Sequence, residues 1–84
     1  MQVNGRNGNH QPSLFDLRRG EEAVIRGFQL PQDISRRLME LGFLPGHRVR
    51  AGRSAPGGDP RVFEVDGSEV AVRRETAVQI QVER

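Results

Sequence analysis

The sequence predicts a mainly β domain: a small barrel of about five short strands with one inserted α-helix. Short runs of alternating apolar and polar residues, separated by Gly, Pro and Asp, are typical of such strands. One segment instead carries apolar residues at helical spacing. A chain of 84 residues has room for one modest core, and closing the strands into a barrel would remove exposed sheet edges.

Residues 1–12 differ from the rest of the chain, because they are rich in Asn, Gly and Gln and carry one aliphatic side chain besides Met1. Such a segment buries too little apolar surface to offset its ordering entropy, so we expect a disordered tail followed by one folded domain over residues 13–84. The start lacks the apolar stretch of a secretory signal, and no run approaches the ~20 apolar residues of a membrane helix. We therefore expect a cytoplasmic protein with no direct membrane insertion.

The domain is expected to open with a single helical turn followed by a strand. Ser13 and Asp16 have the spacing of a capping box, in which the acidic side chain reaches back to the first turn. Residues 23–28 are apolar with imperfect alternation and predict the first strand. In a regular strand, Val24 and Phe28 would share one face and Ile25 would point to the other.

Residues 31–42 predict the inserted helix. Pro31 suits the first turn, where its missing N–H costs nothing, and Gly42 is typical of the position just after a helix. An apolar stripe at i, i+4 and i+7 marks the expected buried face. It consists of Ile34, Leu38 and Leu41. Met39 lies about 140° from Ile34 around the helix and faces solvent or a second surface.

The second half of the chain is rich in strand signals. Residues 48–53 alternate Arg with small or apolar residues, which predicts a half-buried strand with an arginine-lined outer face. Residues 56–60 form a dense turn cluster. Residues 74–77 indicate a short turn or 3₁₀ piece, and the strict alternation of residues 78–82 predicts the final strand.

The Asp-Gly dipeptide at 66–67 is the strongest hairpin signal in the sequence. Pairing Val65 with Ser68 places four apolar side chains on one face. They belong to Phe63, Val65, Val70 and Val72. The same register sets Glu64 opposite Glu69, a small like-charge cost that burial of the apolar face outweighs.

Composition excludes several kinds of site. All 13 basic residues are Arg, and 11 acidic residues leave a formal net charge of +2, which argues against a dedicated nucleic-acid binder. The absence of Cys excludes disulfides and thiolate metal sites. His10 and His47 have no second ligand at i+3 or i+4, so we predict no metal site and no cofactor.

No pattern indicates catalysis. Residues 57–59 are glycine-rich, but the chain has no Lys and no helix is expected to follow, so a phosphate-binding P-loop is missing. None of the hydroxyl side chains has a His-plus-acid arrangement near it in sequence. With no Tyr or Trp, an aromatic groove for proline-rich peptides is missing too. We predict no catalytic residues and no enzymatic activity.

Four groups of residues occur in a characteristic order. The first is Leu14, Leu17 and Gly20, followed by Arg37, Leu38, Leu41, Gly42, Phe43, Pro45 and Gly46. The third is Ala55, Pro56, Gly58, Asp59 and Pro60, and the last is Gly67, Ala71, Val72, Arg73, Ala77, Ile80 and Val82. This ordered set, over roughly residues 13–83, resembles the FeoA family, small proteins associated with the FeoB ferrous iron transporter of bacteria. Gly57 and Arg61 stand where the family often has apolar residues.

The resemblance implies an SH3-like barrel with the helix between early strands. It also implies an accessory role in ferrous iron uptake, through contact with cytoplasmic parts of a FeoB-type transporter. A partner surface is expected at the end of the helix and just beyond it, where apolar side chains are flanked by arginines. Its candidate residues are Met39, Phe43, Leu44, Arg36 and Arg37. The alternative is that Phe43 belongs to the core and that Met39 and Leu44 are scattered surface residues.

Two other functions stay open from the sequence. Small barrels bind RNA or DNA, and the arginines of residues 48–53 line one strand face, although no stacking aromatics stand beside them. The fold expected from the resemblance also occurs as the SH3-like domain of iron-dependent repressors, which here would stand alone.

Overall fold

A single antiparallel sheet of five strands organises the computed structural model, which describes residues 11–84. The strands are β1 (Glu22–Phe28), β2 (Arg48–Ser54), β3 (Arg61–Val65), β4 (Ser68–Val72) and β5 (Ile80–Glu83), in the order β4-β3-β2-β1-β5. Helix α1 (Gln32–Glu40) links β1 to β2, and the single-turn helix α2 (Arg74–Ala77) links β4 to β5. Two 3₁₀ turns, at Leu14–Asp16 and Pro56–Gly58, complete the fold. The predicted mainly β domain with one inserted helix is confirmed, and α2 forms at the short turn that residues 74–77 predict.

The start of the described chain lies beside β5. The Gln11 side-chain amide donates to the carbonyl of Val82 at 2.8 Å, and the Val82 N–H donates to the carbonyl of Pro12 at 2.9 Å. Residues 1–10, which include His10 and most of the expected tail, lie outside the described residues.

The helical turn Leu14–Asp16 forms where the capping box predicts it. The Ser13 N–H donates to Oδ2 of Asp16 at 2.8 Å, which satisfies a backbone donor at the start of the turn. Arg61 on β3 donates through Nη1 to the carbonyl of Phe15 at 3.1 Å, so the turn is tied to the sheet.

The β3–β4 hairpin has the predicted register. Val65 pairs with Ser68, and Glu64 faces Glu69 across the strands. The turn residues Asp66 and Gly67 have φ of 52° and 79°, as a two-residue type I′ turn requires. The predicted apolar face is largely buried: Phe63, Val65 and Val72 are inaccessible or nearly so, and Val70 is half-buried.

Strand β1 contains a bulge that the sequence did not indicate. Opposite β5, Ile25 pairs with Val82 and Phe28 pairs with Ile80, and the register shifts between Ile25 and Gly27. Since Ile80 and Val82 are two residues apart and share a face, Phe28 lies on the same face as Ile25. The prediction that Phe28 shares a face with Val24 is therefore wrong, because the extra residue reverses the alternation.

Helix α1 is rotated relative to the predicted orientation. It buries Ser35 and Leu38, whereas Ile34 and Leu41 are 40% and 47% exposed. At about 100° per residue, the buried face is turned by about 60° from the centre of the Ile34–Leu38–Leu41 stripe. The prediction that the whole stripe is buried is wrong, because Ser35, which donates to the carbonyl of Leu30 at 3.4 Å, lies on the inner side.

The final strand begins two residues later than predicted. Val78 and Gln79 donate their N–H groups to the carbonyls of Arg74 and Thr76, at 3.0 Å each, and so continue the α2 turn. Val78 is 42% exposed as a result.

The hydrophobic core contains side chains from every strand and from the residues after α1. Its largest fully buried side chains are Phe43, Phe63, Leu14, Leu17, Ile25, Ile80, Val49, Val65 and Val82.

Candidate interaction groove

Clusters of metal-binding side chains and membrane-spanning helices are the first features of the described residues that bear on function. Within residues 11–84, no three His, Cys, Asp or Glu side chains come together in a way that would hold a metal ion. His47 has one carboxylate near it, with Nδ1 at 3.3 Å from Oδ2 of Asp66, and both side chains are about half exposed. Over the same residues, no helix is long and apolar enough to cross a membrane.

A groove of about 220 Å³ runs between α1 and β4, and we call it the α1 groove. Helix α1 and its C-terminal end contribute Ile34, Leu38 and Leu41, and the strand side contributes Val70 and Val72. Leu38 is 8% exposed and forms the floor. The groove is thus an apolar feature at the junction of the helix and the end of the sheet.

The spacing of its residues explains how α1 builds one wall. Positions 34, 37, 38 and 41 recur at i, i+3, i+4 and i+7 and therefore lie on one helix face. Ile34 and Leu41 are two of the three large apolar side chains that are exposed in residues 11–84, the third being Val78. The rotation of α1 therefore leaves an apolar wall open to solvent.

Two arginines border this apolar surface. Arg37 comes from α1 and Arg73 from the connection between β4 and α2, and both are exposed. No Asp or Glu lines the α1 groove. In the described part of the chain, neither Arg37 nor Arg73 is within ion-pair distance of a carboxylate. The ion pairs that arginines form there are Arg26–Glu83, Arg48–Glu22, Arg50–Glu64, Arg53–Glu69 and Arg84–Glu21.

The predicted partner residues do not form one surface. Arg37 lines the α1 groove, but Arg36 and Met39 lie on other faces of α1, about 160° and 140° from Ile34. Met39 and Leu44 are half-buried. Phe43 is 0% exposed, so its inclusion in an exposed patch is wrong, and the core alternative holds for this residue.

The residues that form the helix wall of the groove were recognisable in the sequence, but their pattern predicted a buried helix face. Ile34, Leu38 and Leu41 were identified as one stripe, and a helix stripe in a small domain is ordinarily buried. Only the docking angle of α1 decides which side of the stripe meets the core. Val70 was likewise expected in the core, and it is half-buried at the groove.

The arginine-lined face of β2 forms as predicted, and it is electrically compensated. Val49 and Ala51 are buried, and the arginines point outward. Arg48 lies 3.1 Å from Glu22 on β1, and Arg50 lies 3.9 Å from Glu64 on β3. A third pair, Arg53 with Glu69, joins β2 to β4 at 3.7 Å. Carboxylates from three other strands, β1, β3 and β4, thus offset the charge of this face.

The five-stranded antiparallel sheet with the helix between its first two strands defines a small SH3-like domain. A profile of the FeoA domain matches residues 13–84. The crystal structure of FeoA from Stenotrophomonas maltophilia, complexed with zinc and described as a prokaryotic SH3 domain protein, has a TM-score of 0.75 and 34% identity. That match covers 86% of this chain and 89% of the other. The chain belongs to the FeoA family.

Two further relatives are similar to the chain. The solution structure of the FeoA protein from Chlorobium tepidum has a TM-score of 0.81 and 32% identity, over 86% of this chain and 69% of the other. An Fe(2+) transport protein A/Fe(2+) transporter FeoB fusion protein from Porphyromonas gingivalis is 33% identical over 70 residues, or 83% of this chain. The chain spans only 8% of the length of that fusion protein.

Proposed function

We propose that this protein is a non-enzymatic accessory protein of bacterial ferrous iron uptake that acts in the cytoplasm by binding cytoplasmic parts of a FeoB-type transporter. One observation carries the proposal. In the Porphyromonas gingivalis relative, a region similar to this chain is part of the same polypeptide as a FeoB transporter. Fusion gives two domains a high effective concentration for each other, so it suits partners that act together.

The structure supports a binding role in two ways. The α1 groove is an apolar surface bordered by arginines, as protein interfaces commonly are. The bordering Arg37 and Arg73 are exposed and have no carboxylate within ion-pair distance in residues 11–84, so acidic groups of a partner can pair with them.

An NMR titration tests the proposal directly. The ¹⁵N-labelled protein is titrated with the soluble cytoplasmic domain of a FeoB-type transporter from the same cell, with and without guanine nucleotide. We expect saturable shifts confined to one surface. A soluble domain of similar size and net charge from an unrelated transporter serves as the control. The absence of shifts in both nucleotide states, at domain concentrations well above those in the cell, would contradict the proposal.

A further inference from the structure

We propose that the α1 groove binds an extended, apolar segment with acidic flanks, which adds as a strand to the free edge of β4; the identity of the partner as the transporter rests on the function proposed above. Three features of the described residues carry this inference: the edge position of β4, the apolar wall of α1, and the uncompensated charge of two arginines.

Strand β4 ends the sheet, because the order β4-β3-β2-β1-β5 places no strand of residues 11–84 on its outer side. In the two-residue hairpin, Val65 and Ser68 exchange hydrogen bonds, and the hydrogen-bonded pairs then alternate along the strands. Glu69 and Ala71 fall at the other positions, so their N–H and carbonyl groups point away from β3. This outward row of donors and acceptors is a template for an added strand.

The α1 groove adjoins this edge. Val70, Ala71 and Val72 all line it, together with Ile34 on α1 and Leu41 just after the helix. A strand hydrogen-bonded to Ala71 would lie about 4.8 Å from β4. Every second side chain of that strand would then point toward the α1 wall, where covering exposed apolar surface is favourable. The segment is therefore expected to alternate apolar and polar residues.

Charge selects the flanks of the segment. Arg37 and Arg73 border the groove without an ion pair in the described chain, and no carboxylate lines it. Acidic residues beside the apolar positions would pair with both arginines, while basic residues would be repelled.

The same charges argue against two other occupants of the groove. A second copy of the chain would bring the same two arginines into the interface. Residues 1–10 contain no acid and one arginine. Charge thus favours a different protein as the occupant.

The test compares matched variants in binding to the transporter's cytoplasmic domain. Arg37→Glu is paired with Arg36→Glu, since both arginines are exposed on α1 but only Arg37 lines the groove. Ile34→Gln is paired with Val78→Gln, because these side chains are 40% and 42% exposed. Each groove variant is expected to weaken binding about tenfold or more, as interface anchors do. Each control is expected to stay within about twofold.

Ala71 tests the strand addition itself. Ala71→Pro removes an outward-pointing N–H, which an edge strand tolerates, whereas Ala71→Val keeps it. We expect the proline variant to bind at least about tenfold more weakly than the valine variant, because only the valine variant keeps the backbone donor. Circular dichroism and the unfolding midpoint verify that both variants are folded. Equal binding by both folded variants would overturn strand addition.

The outcomes separate this inference from the proposed function. If the wild type binds the domain and all groove variants bind equally well, the α1 groove is not the binding site, and the proposed function still stands. If the wild type does not bind the domain, the α1 groove is tested by NMR titration with a synthetic peptide of alternating valine and threonine that has glutamates at both ends. Shifts at Ile34, Leu41 and Ala71, absent with a lysine-ended peptide, would support the groove alone. Equal or absent binding of the two peptides, or dimerisation of the protein through β4 in sedimentation, would contradict it.

Discussion

Phe43 lies three residues after the end of α1, and no part of its side chain reaches solvent. Its N–H donates to the carbonyl of Leu38 at 3.0 Å, which holds the residue in place as the chain leaves the helix. Phe43 and Phe63 are the largest of the fully buried side chains. In a domain of this size, with a modest core and no disulfide, such a side chain contributes a large share of the total stability.

At this scale we predict that Phe43→Ala lowers the free energy of unfolding by about 3–5 kcal/mol, because it removes a buried ring and leaves a cavity. Ile34→Ala, at a side chain that is 40% exposed, is expected to cost about 1 kcal/mol or less. Urea denaturation measures both. Phe43→Leu, a smaller change, keeps the comparison possible if the alanine variant does not fold. Equal losses for Phe43 and Ile34 would show that the assigned burial is wrong.

Helix α1 ends through a backbone conformation that depends on Gly42. Its φ is +108°, in the region that side chains disfavour, and its N–H donates to the carbonyl of Met39 at 3.0 Å. A Cβ at this position would lie 3.3 Å from Oδ2 of Asp66 and 3.5 Å from Cγ1 of Val65. The chain just after α1 is therefore packed against the β3–β4 hairpin.

At the element scale we predict that Gly42→Ala destabilises the domain by about 1–3 kcal/mol, since it adds backbone strain to a close contact. Gly27→Ala is the control: Gly27 has no positive φ, and its nearest neighbour would be Oε1 of Gln81 at 3.9 Å. Its effect is expected to be about 0.5 kcal/mol or less. The midpoint of thermal or urea unfolding compares the two variants, and a neutral Gly42→Ala would contradict the role assigned to this helix end.

Over the whole molecule, the arrangement of charge matters more than its sum. The formal net charge is +2, yet the arginines of β2 are each within 4 Å of a glutamate on another strand, at 3.1, 3.9 and 3.7 Å. Exposed pairs of this kind add about 0–1 kcal/mol each to stability. Their larger effect is on the potential of the β2 face, which they reduce. No aromatic ring in residues 11–84 is fully exposed beside these arginines to stack on a base.

We therefore predict weak nucleic-acid binding, with a Kd of about 100 μM or higher for a single-stranded oligonucleotide at physiological salt. Fluorescence anisotropy measures it. Replacing Glu64 and Glu69 together by Gln uncovers Arg50 and Arg53 and is expected to tighten binding, which shows that the assay detects the arginine face. Micromolar, steeply salt-dependent binding by the wild type would revive the nucleic-acid alternative.

Short-range signals determined much of this protein. The hairpin register followed from the Asp-Gly turn at 66–67 and the two-residue period of the strand, because a one-residue slip would have moved Phe63 out of the core. The burial of Val49 and Ala51 on β2 and the capping of the first turn followed from equally local patterns. These features depend on residues close together in the chain, so the sequence by itself was sufficient to predict them.

Only the tertiary structure decided where the interaction groove lies. The stripe of Ile34, Leu38 and Leu41 is present in the sequence, but its exposure depends on the angle at which α1 docks on the sheet. The bulge after Ile25 likewise depends on pairing with β5, more than fifty positions away in the chain. A hydrophobic pattern states which residues favour burial, and the available core volume then decides which of them are buried. Here Ser35 lies on the inner side of α1 and Phe43 is buried just beyond the helix, and the outer part of the stripe is left as a groove at the free edge of β4.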